Sequence, residues 1–176
     1  DRNTGAGTSI HTSFKINEEF QEYAVLSDPA GNTLDLLWLD QKTQTNHSRG
    51  RVTDGAGTYG VFTNPTPGAP NAGAFNGYAT TPVFDIPSGN KPGPVNVGLS
   101  SPDAGVTIRY TYNGIDPNGG AAAYAAPLAI GATTVVHAQA YSSDPMVLPS
   151  FIETNTYLIA ENHTMAVVSL SGPDVI

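Results

Sequence analysis

The chain contains no cysteine, so neither a disulfide framework nor a thiolate metal site is open to it. Positive charge is nearly as scarce. Seven Lys and Arg are scattered among 176 residues, against fifteen Asp and Glu, for a formal net charge of −8. With no basic patch to neutralise phosphates, the composition argues against nucleic-acid binding and against attraction to an anionic membrane surface. No apolar run approaches the roughly 20 residues that a membrane-spanning helix needs. Charged residues make up only 12% of the chain, about half the usual share of about 25%.

Catalytic and metal signatures are missing too. His11, His47, His137 and His163 are far apart and lack metal-type spacing. His137 falls on the polar side of an alternating segment and reads as a surface residue. No G-x-S-x-G elbow, P-loop or H-E-x-x-H occurs. A Ser-His-Asp set assembles from distant positions and leaves no linear trace, but nothing in the sequence favours one. The expectation is a chain without enzymatic activity and without a required cofactor.

What the sequence does contain is punctuation and alternation. Nineteen Gly and 14 Pro, with many Thr, Ser and Asn, read as short strands joined by tight turns. Strict alternation marks half-buried strands. Val95, Val97 and Leu99 oppose Asn96, Gly98 and Ser100; Val106, Ile108, Tyr110 and Tyr112 oppose Thr107, Arg109 and Thr111. Val136, Ala138 and Ala140 oppose His137 and Gln139. "EYAVLSD" and "TLDLLWLD" give two earlier strands, the second apolar on both faces around Trp38 and therefore expected to be central and buried. Turn signals separate these segments: "DPAGN" (28–32), "TDGAG" (53–57), "SPDAG" (101–105) and "NGIDPNGG" (113–120). Only residues 14–26 compete as a helix, and strand, turn at "NEE", strand is the preferred reading. The fold class is all-β, as two small immunoglobulin-like β-sandwiches in tandem. The prolines of "GVFTNPTPGAPN" (60–71) withhold amide donors and favour an extended path. They close a first module anchored by Phe62. The expected division is 1–71, a linker at 72–81, a second module at 82–159 and an extended tail at 160–176.

Two stretches carry a family likeness. "HTSFKI", "EYAVLSDPAGNTLD", "HSRGR", "DGAG" and "FTNPTPGAPN" within residues 10–71 resemble the C-terminal part of bacterial lamin-tail-like domains, which are immunoglobulin-like sandwiches. Only "DRNTGAGTS" precedes them, so this resemblance implies a first sandwich incomplete at its N-terminus. "PVFDIPSG", "VNVGLSSPDAGVTIRYTYNGIDP", "TTVVHAQAY" and "TYLI" within residues 82–159 resemble the small β-sandwich at the C-terminus of chitobiases and β-hexosaminidases, which implies an accessory module rather than a catalytic barrel. "ENHTMAVVSLSGPDVI" (161–176) is similar to the first strand of spore-coat-type (CotH-like) kinase domains. None of a kinase's Gly-rich loop, ion-pair Lys or metal-binding Asp follows it, so no kinase activity is implied.

Candidate functional residues follow from these readings. Asp28, Asn32 and Asp35 crowd one turn and offer oxygen ligands to calcium, although the same residue types build an Asx-stabilised hairpin turn. Asp116 in "NGIDPNGG" is read as fixing a turn. Tyr110, Tyr112 and Tyr124 are candidates for a glycan-stacking platform, with Tyr59 and Tyr78 also in or near loops. The alternation of Tyr110 and Tyr112 with Val106 and Ile108 places those two in a core instead. An incomplete sandwich can be filled by a neighbour's strand, and Met165, Val167, Val168 and Leu170 in "TMAVVSLS" form the candidate donor. A head-to-tail contact of that kind generates fibres. The leading functional expectation is a structural module of a secreted or cell-surface bacterial protein, partnered by copies of itself or by neighbouring domains. The alternative is a carbohydrate-binding accessory module of a larger extracellular enzyme. The chain opens at Asp1 without an initiator Met or an apolar leader, as expected of a processed or excised piece.

Overall fold

A computed structural model describes residues 22–39 and 41–161. Among these residues there are fifteen strands and no helix, so the all-β expectation holds. The chain divides into two compact units, Asp1–Thr45 and Asn46–Ile176.

In the first unit, the described residues form one antiparallel hairpin. β1 (Glu22–Ser27) pairs with β2 (Thr33–Leu39), with an irregularity in register between Leu26 and Ser27. Tyr23 lies opposite Trp38 with ring centroids 5.4 Å apart, and Val25 lies opposite Leu36. These cross-strand pairs are the stabilising unit of an isolated hairpin. The sequence places Trp38 in a buried central strand; instead its side chain is 45% exposed. β2 is apolar on both faces, yet among the described residues it has a single partner strand, β1. The preferred turn at "NEE", together with His11, lies outside the described residues.

The second unit begins with β3 (Ser48–Arg51) and β4 (Tyr59–Phe62), an antiparallel pair joined by the "TDGAG" turn. Arg51 donates to Ala56 O and stacks over the Tyr59 ring. Val61 and Phe62, where the proline run starts, are buried, within the second unit. The exposed run 64–70 then loops out and is tied back by Asn71. Its amide donates to Asp54 Oδ1 (3.1 Å) and its side chain to Arg51 O (2.8 Å).

Residues 72–81, expected to be a linker, are fastened on two sides. Val61 and Phe75 exchange backbone hydrogen bonds of 3.0 and 2.8 Å. Gly60 makes this approach possible: a Cβ there would meet Phe75 O at 2.7 Å. β5 (Gly77–Tyr78) then runs parallel to a late strand, β14 (Val147–Leu148), flanked by bonds from Asn76 N to Met146 O and from Ala79 N to Leu148 O, each 2.8 Å. Tyr78 stacks with His47 and tilts against Phe151, and its hydroxyl lies 2.7 Å from His47 Nδ1.

Beyond this strap lies the sandwich. Its strands are β6 (Val83–Phe84), β7 (Gly89–Lys91), β8 (Val95–Val97), β9 (Leu99–Ser100), β10 (Val106–Thr111), β11 (Ala122–Ala123), β12 (Leu128–Ile130), β13 (Thr134–Ser142) and β15 (Glu153–Ile159). One layer is a five-stranded sheet in the order β11-β10-β13-β15-β7. The other is built from the pairs β8–β12 and β6–β9. The alternating segment 95–100 serves both pairs by changing partner at Gly98. The Gly98 amide donates to Asp85 Oδ1 (2.7 Å), and a Cβ at that position would strike the same carboxylate at 2.5 Å.

Val97, Leu99, Ile108, Leu128, Ile130, Val136, Ala138 and Tyr157 meet between the layers as one buried cluster. Full burial of each larger aliphatic side chain contributes roughly 1.5–3 kcal/mol. Tyr157 brings a hydroxyl into this core and satisfies it by donating to Ile86 O at 2.7 Å. Residues 162–176, including His163, Met165, Val167, Val168 and Leu170, lie outside the described residues.

Candidate functional site

The five-stranded sheet turns its second face away from the core, and most of the polar chemistry of the sandwich collects there. Register places Arg109 opposite Gln139, Thr111 opposite His137 and Thr107 opposite Tyr141 on β10 and β13, while Thr154 of β15 lies opposite His137. Alternation predicts this set as the solvent face. In fact His137 is only 3% exposed, and Gln139 is buried as well. The covering comes from two segments outside these strands, the 113–121 loop and the turn around Ser150.

The loop is held by side chains of the sheet. Arg109 Nη1 donates to Ala121 O at 2.6 Å. Tyr141 Oη sits 3.0 Å from Pro117 O and 2.7 Å from Gln139 Oε1, so its single proton serves one acceptor at a time. Thr111 Oγ1 donates to Ile115 O at 2.5 Å. On the other flank Gln139 Nε2 donates to Ser150 O (2.7 Å), and the Ala140 amide donates to Ser150 Oγ (2.9 Å). His137 Nδ1 lies 3.3 Å from Asp116 Oδ1, close enough for an ion pair when the imidazole is protonated. The two are not aligned as a hydrogen bond, and Nδ1 and the nearby Thr154 Oγ1 are buried without an aligned partner. Asp116 therefore faces a histidine rather than serving its turn alone. Of these groups the sequence offered one signal: Arg109 and Lys91 are the only cations in residues 82–159, and Arg109 sits mid-strand.

Of the aromatic candidates, Tyr110 lies on the core-facing side of β10, Tyr112 just past its end and Tyr124 just past β11. Tyr110 and Tyr124 pack half-buried against the core cluster. Tyr112 emerges at 45% exposure, its ring edge-on to Tyr110 with centroids 5.2 Å apart. Burial, with Tyr110 beside it, pushes the Tyr112 hydroxyl pKa up. The core reading thus fits Tyr110, while Tyr112 was misplaced by it: β10 ends at Thr111, so Tyr112 leaves the sheet where the core layer stops. Exposed Ile115 follows three residues later. Tyr59 begins β4 and Tyr78 lies in β5, away from this edge in sequence.

At the "DPAGN" turn, both carboxylate oxygens of Asp28 accept from the turn itself. Oδ1 accepts from Ala30 N (2.9 Å) and Asn32 N (2.8 Å), and Oδ2 accepts from Asn32 Nδ2 (2.8 Å). These bonds, the one from the Asn32 side chain foremost, hold the carboxyl pKa below its ordinary value. Asp35 Oδ1 accepts from Leu36 N. Among the described residues no group of three or more His, Asp or Glu is placed to hold a metal ion.

The family comparison bears on the sandwich. Residues 86–148 match the model of the chitobiase/beta-hexosaminidase C-terminal domain. That domain is a non-catalytic β-sandwich module, and the matched span contains β7 to β14, with Arg109, Tyr110, Tyr112, Asp116, Tyr124, His137 and Tyr141. It stops short of β15, although β15 pairs with both β13 and β7 and delivers Tyr157 to the core. Residues 10–71 and 161–176 fall outside the match, and their resemblances rest on sequence motifs alone. No curated protein and no solved structure matches the chain.

Proposed function

We propose that this chain is a non-catalytic accessory module of a larger extracellular glycan-processing protein. It contacts neighbouring domains and meets saccharide at the Tyr112 end of the sandwich. The observation that carries this reading is the match over residues 86–148 to a domain named for chitobiases and β-hexosaminidases. An exposed tyrosine held edge-on by a half-buried one adds support, since a ring fixed in this way offers a flat apolar surface at low entropic cost. Calcium plays no part in this reading. The test is a glycan panel that includes β-linked N-acetylhexosamine oligomers, probed with the full chain and with Tyr112→Ala. Binding that Tyr112→Ala abolishes supports the proposal; absence of binding across the panel removes the saccharide contact and leaves a spacer.

A second reading, self-association through strand exchange, draws on the hairpin of the first unit. Tyr23, Val25, Leu36 and Trp38 are all exposed and occupy paired positions on one face. Sedimentation across a concentration series, with electron microscopy of the most concentrated sample, tests it. A monomer at every concentration rejects it.

A further inference from the structure

We propose that Asn118 is a site of spontaneous deamidation, and that the modification loosens the loop covering the polar face of the five-stranded sheet. Asparagine is a thermally labile residue, and its side-chain carbonyl is most open to the next main-chain nitrogen when glycine follows, because no Cβ obstructs the approach. The sequence has three Asn-Gly pairs, at 76–77, 113–114 and 118–119. The fold treats them differently. The Asn76 amide is bonded to Met146 O and Gly77 lies in the β5–β14 ladder, so that main chain is held. Asn113 is bridged to Val135, so its main chain is held as well. Asn118 is exposed, and nothing lies within 4 Å of where a Gly119 Cβ would stand.

Asn118 shares with Asn113 a contact from the amide two residues on, but at Asn118 it is the shorter of the two and no β-bridge holds the main chain. The Gly120 amide donates to Asn118 Oδ1 at 2.8 Å. The ring closed by this bond contains the Gly119 nitrogen and folds the side-chain carbonyl back towards it. The same N–H faces the oxygen on which negative charge develops during attack, as a donor in an oxyanion hole does. In the first step the Gly119 nitrogen bonds to Asn118 Cγ, the Cγ–Nδ2 bond breaks, and ammonia leaves with the Gly119 amide proton. Water then opens the cyclic imide at either carbonyl, giving aspartate or isoaspartate. Formal charge moves from −8 to −9. The isoaspartate product adds a methylene to the main chain between Pro117 O and Ala121 O, the two carbonyls that Tyr141 and Arg109 engage. The inference does not depend on the accessory-module reading.

The test is ageing of the full chain at mildly alkaline pH, followed by peptide mapping and isoaspartate-specific methylation. The amide-to-acid mass gain is expected at Asn118 ahead of Asn113 and Asn76. Gly119→Ala, accommodated because its φ is not in the left-handed region and its Cβ meets open space, is expected to slow the gain at Asn118 severalfold and leave Asn113 unchanged. The modified fraction, separated by anion exchange, is expected to show faster amide exchange across 113–121. Earlier gain at Asn113 or Asn76, or an unchanged rate in Gly119→Ala, overturns the site. Identical exchange in both fractions overturns its consequence.

Discussion

Gly60→Ala tests whether residues 72–81 are part of the folded unit or only a tether. The new methyl would stand 2.7 Å from Phe75 O, 3.0 Å from Ala74 Cβ and 3.3 Å from Val52 Cγ1. The first of these is a main-chain atom that cannot swing aside. Two responses are open to the protein. It can keep the Val61–Phe75 bridge and accept the overpacking, at a cost of about 1–3 kcal/mol. Alternatively it can release the strap and forfeit two backbone hydrogen bonds, at about 0.5–1.5 kcal/mol each. Both routes lead to a loss of about 1–3 kcal/mol, or a fall in Tm of roughly 2–12 °C for a chain of this size. Amide exchange separates them, because only release exposes the Val61 and Phe75 amides. Gly57→Ala is the matched control: its Cβ meets nothing within 4 Å, and its effect should stay within about 0.5 kcal/mol. If Gly60→Ala melts with Gly57→Ala and leaves both amides protected, the close approach is not what fastens the segment, and the linker reading returns.

Three further outcomes follow from buried or bonded groups. Tyr157→Phe removes the donor from which the half-buried Ile86 carbonyl accepts and should cost about 0.5–1.5 kcal/mol in urea unfolding. Ser150→Ala removes the acceptor of the Ala140 amide and should cost about 1–3 kcal/mol in the same assay. Asp103 accepts from Thr80 N (2.6 Å) and Thr80 Oγ1 (2.8 Å), and these bonds hold its pKa below the ordinary 3.8. Its contribution is complete above pH 3.8 and disappears as pH falls through the lower folded value. Asp103→Asn should therefore flatten the acid limb of a Tm-versus-pH curve relative to the wild type, and parallel limbs would refute the assignment.

Local pattern carried much of the fold. The alternation of Val106, Ile108 and Tyr110 against Thr107 and Arg109 gives β10 with its core face correctly oriented, because that face depends only on the strand's own period of two. His137 shows where such reasoning stops. Its polar neighbours Gln139 and Thr111 mark the outer face, but burial there comes from the 113–121 loop and Ser150, which no local window reveals. Trp38 fails in the opposite sense: an apolar run reports what a strand could bury, not what is there to cover it. The Ala- and Gly-rich 72–81 segment conceals its pairings because they are made by backbone groups, which composition does not register. Phe75 and Tyr78 within it were the available hint.

The pairing of β5 with β14 also fixes an order of events during synthesis. Phe75 can find Val61 as soon as both have emerged, across a closure of 14 residues, whereas Gly77 must wait for Val147, 70 residues later. Loop closure alone makes the second contact about 1.4 kcal/mol costlier than the first. The nascent chain therefore carries its N-terminal hairpins and a half-fastened strap until nearly all of the sandwich has left the ribosome. Docking of that strap comes late, with β15 the one described strand still to follow.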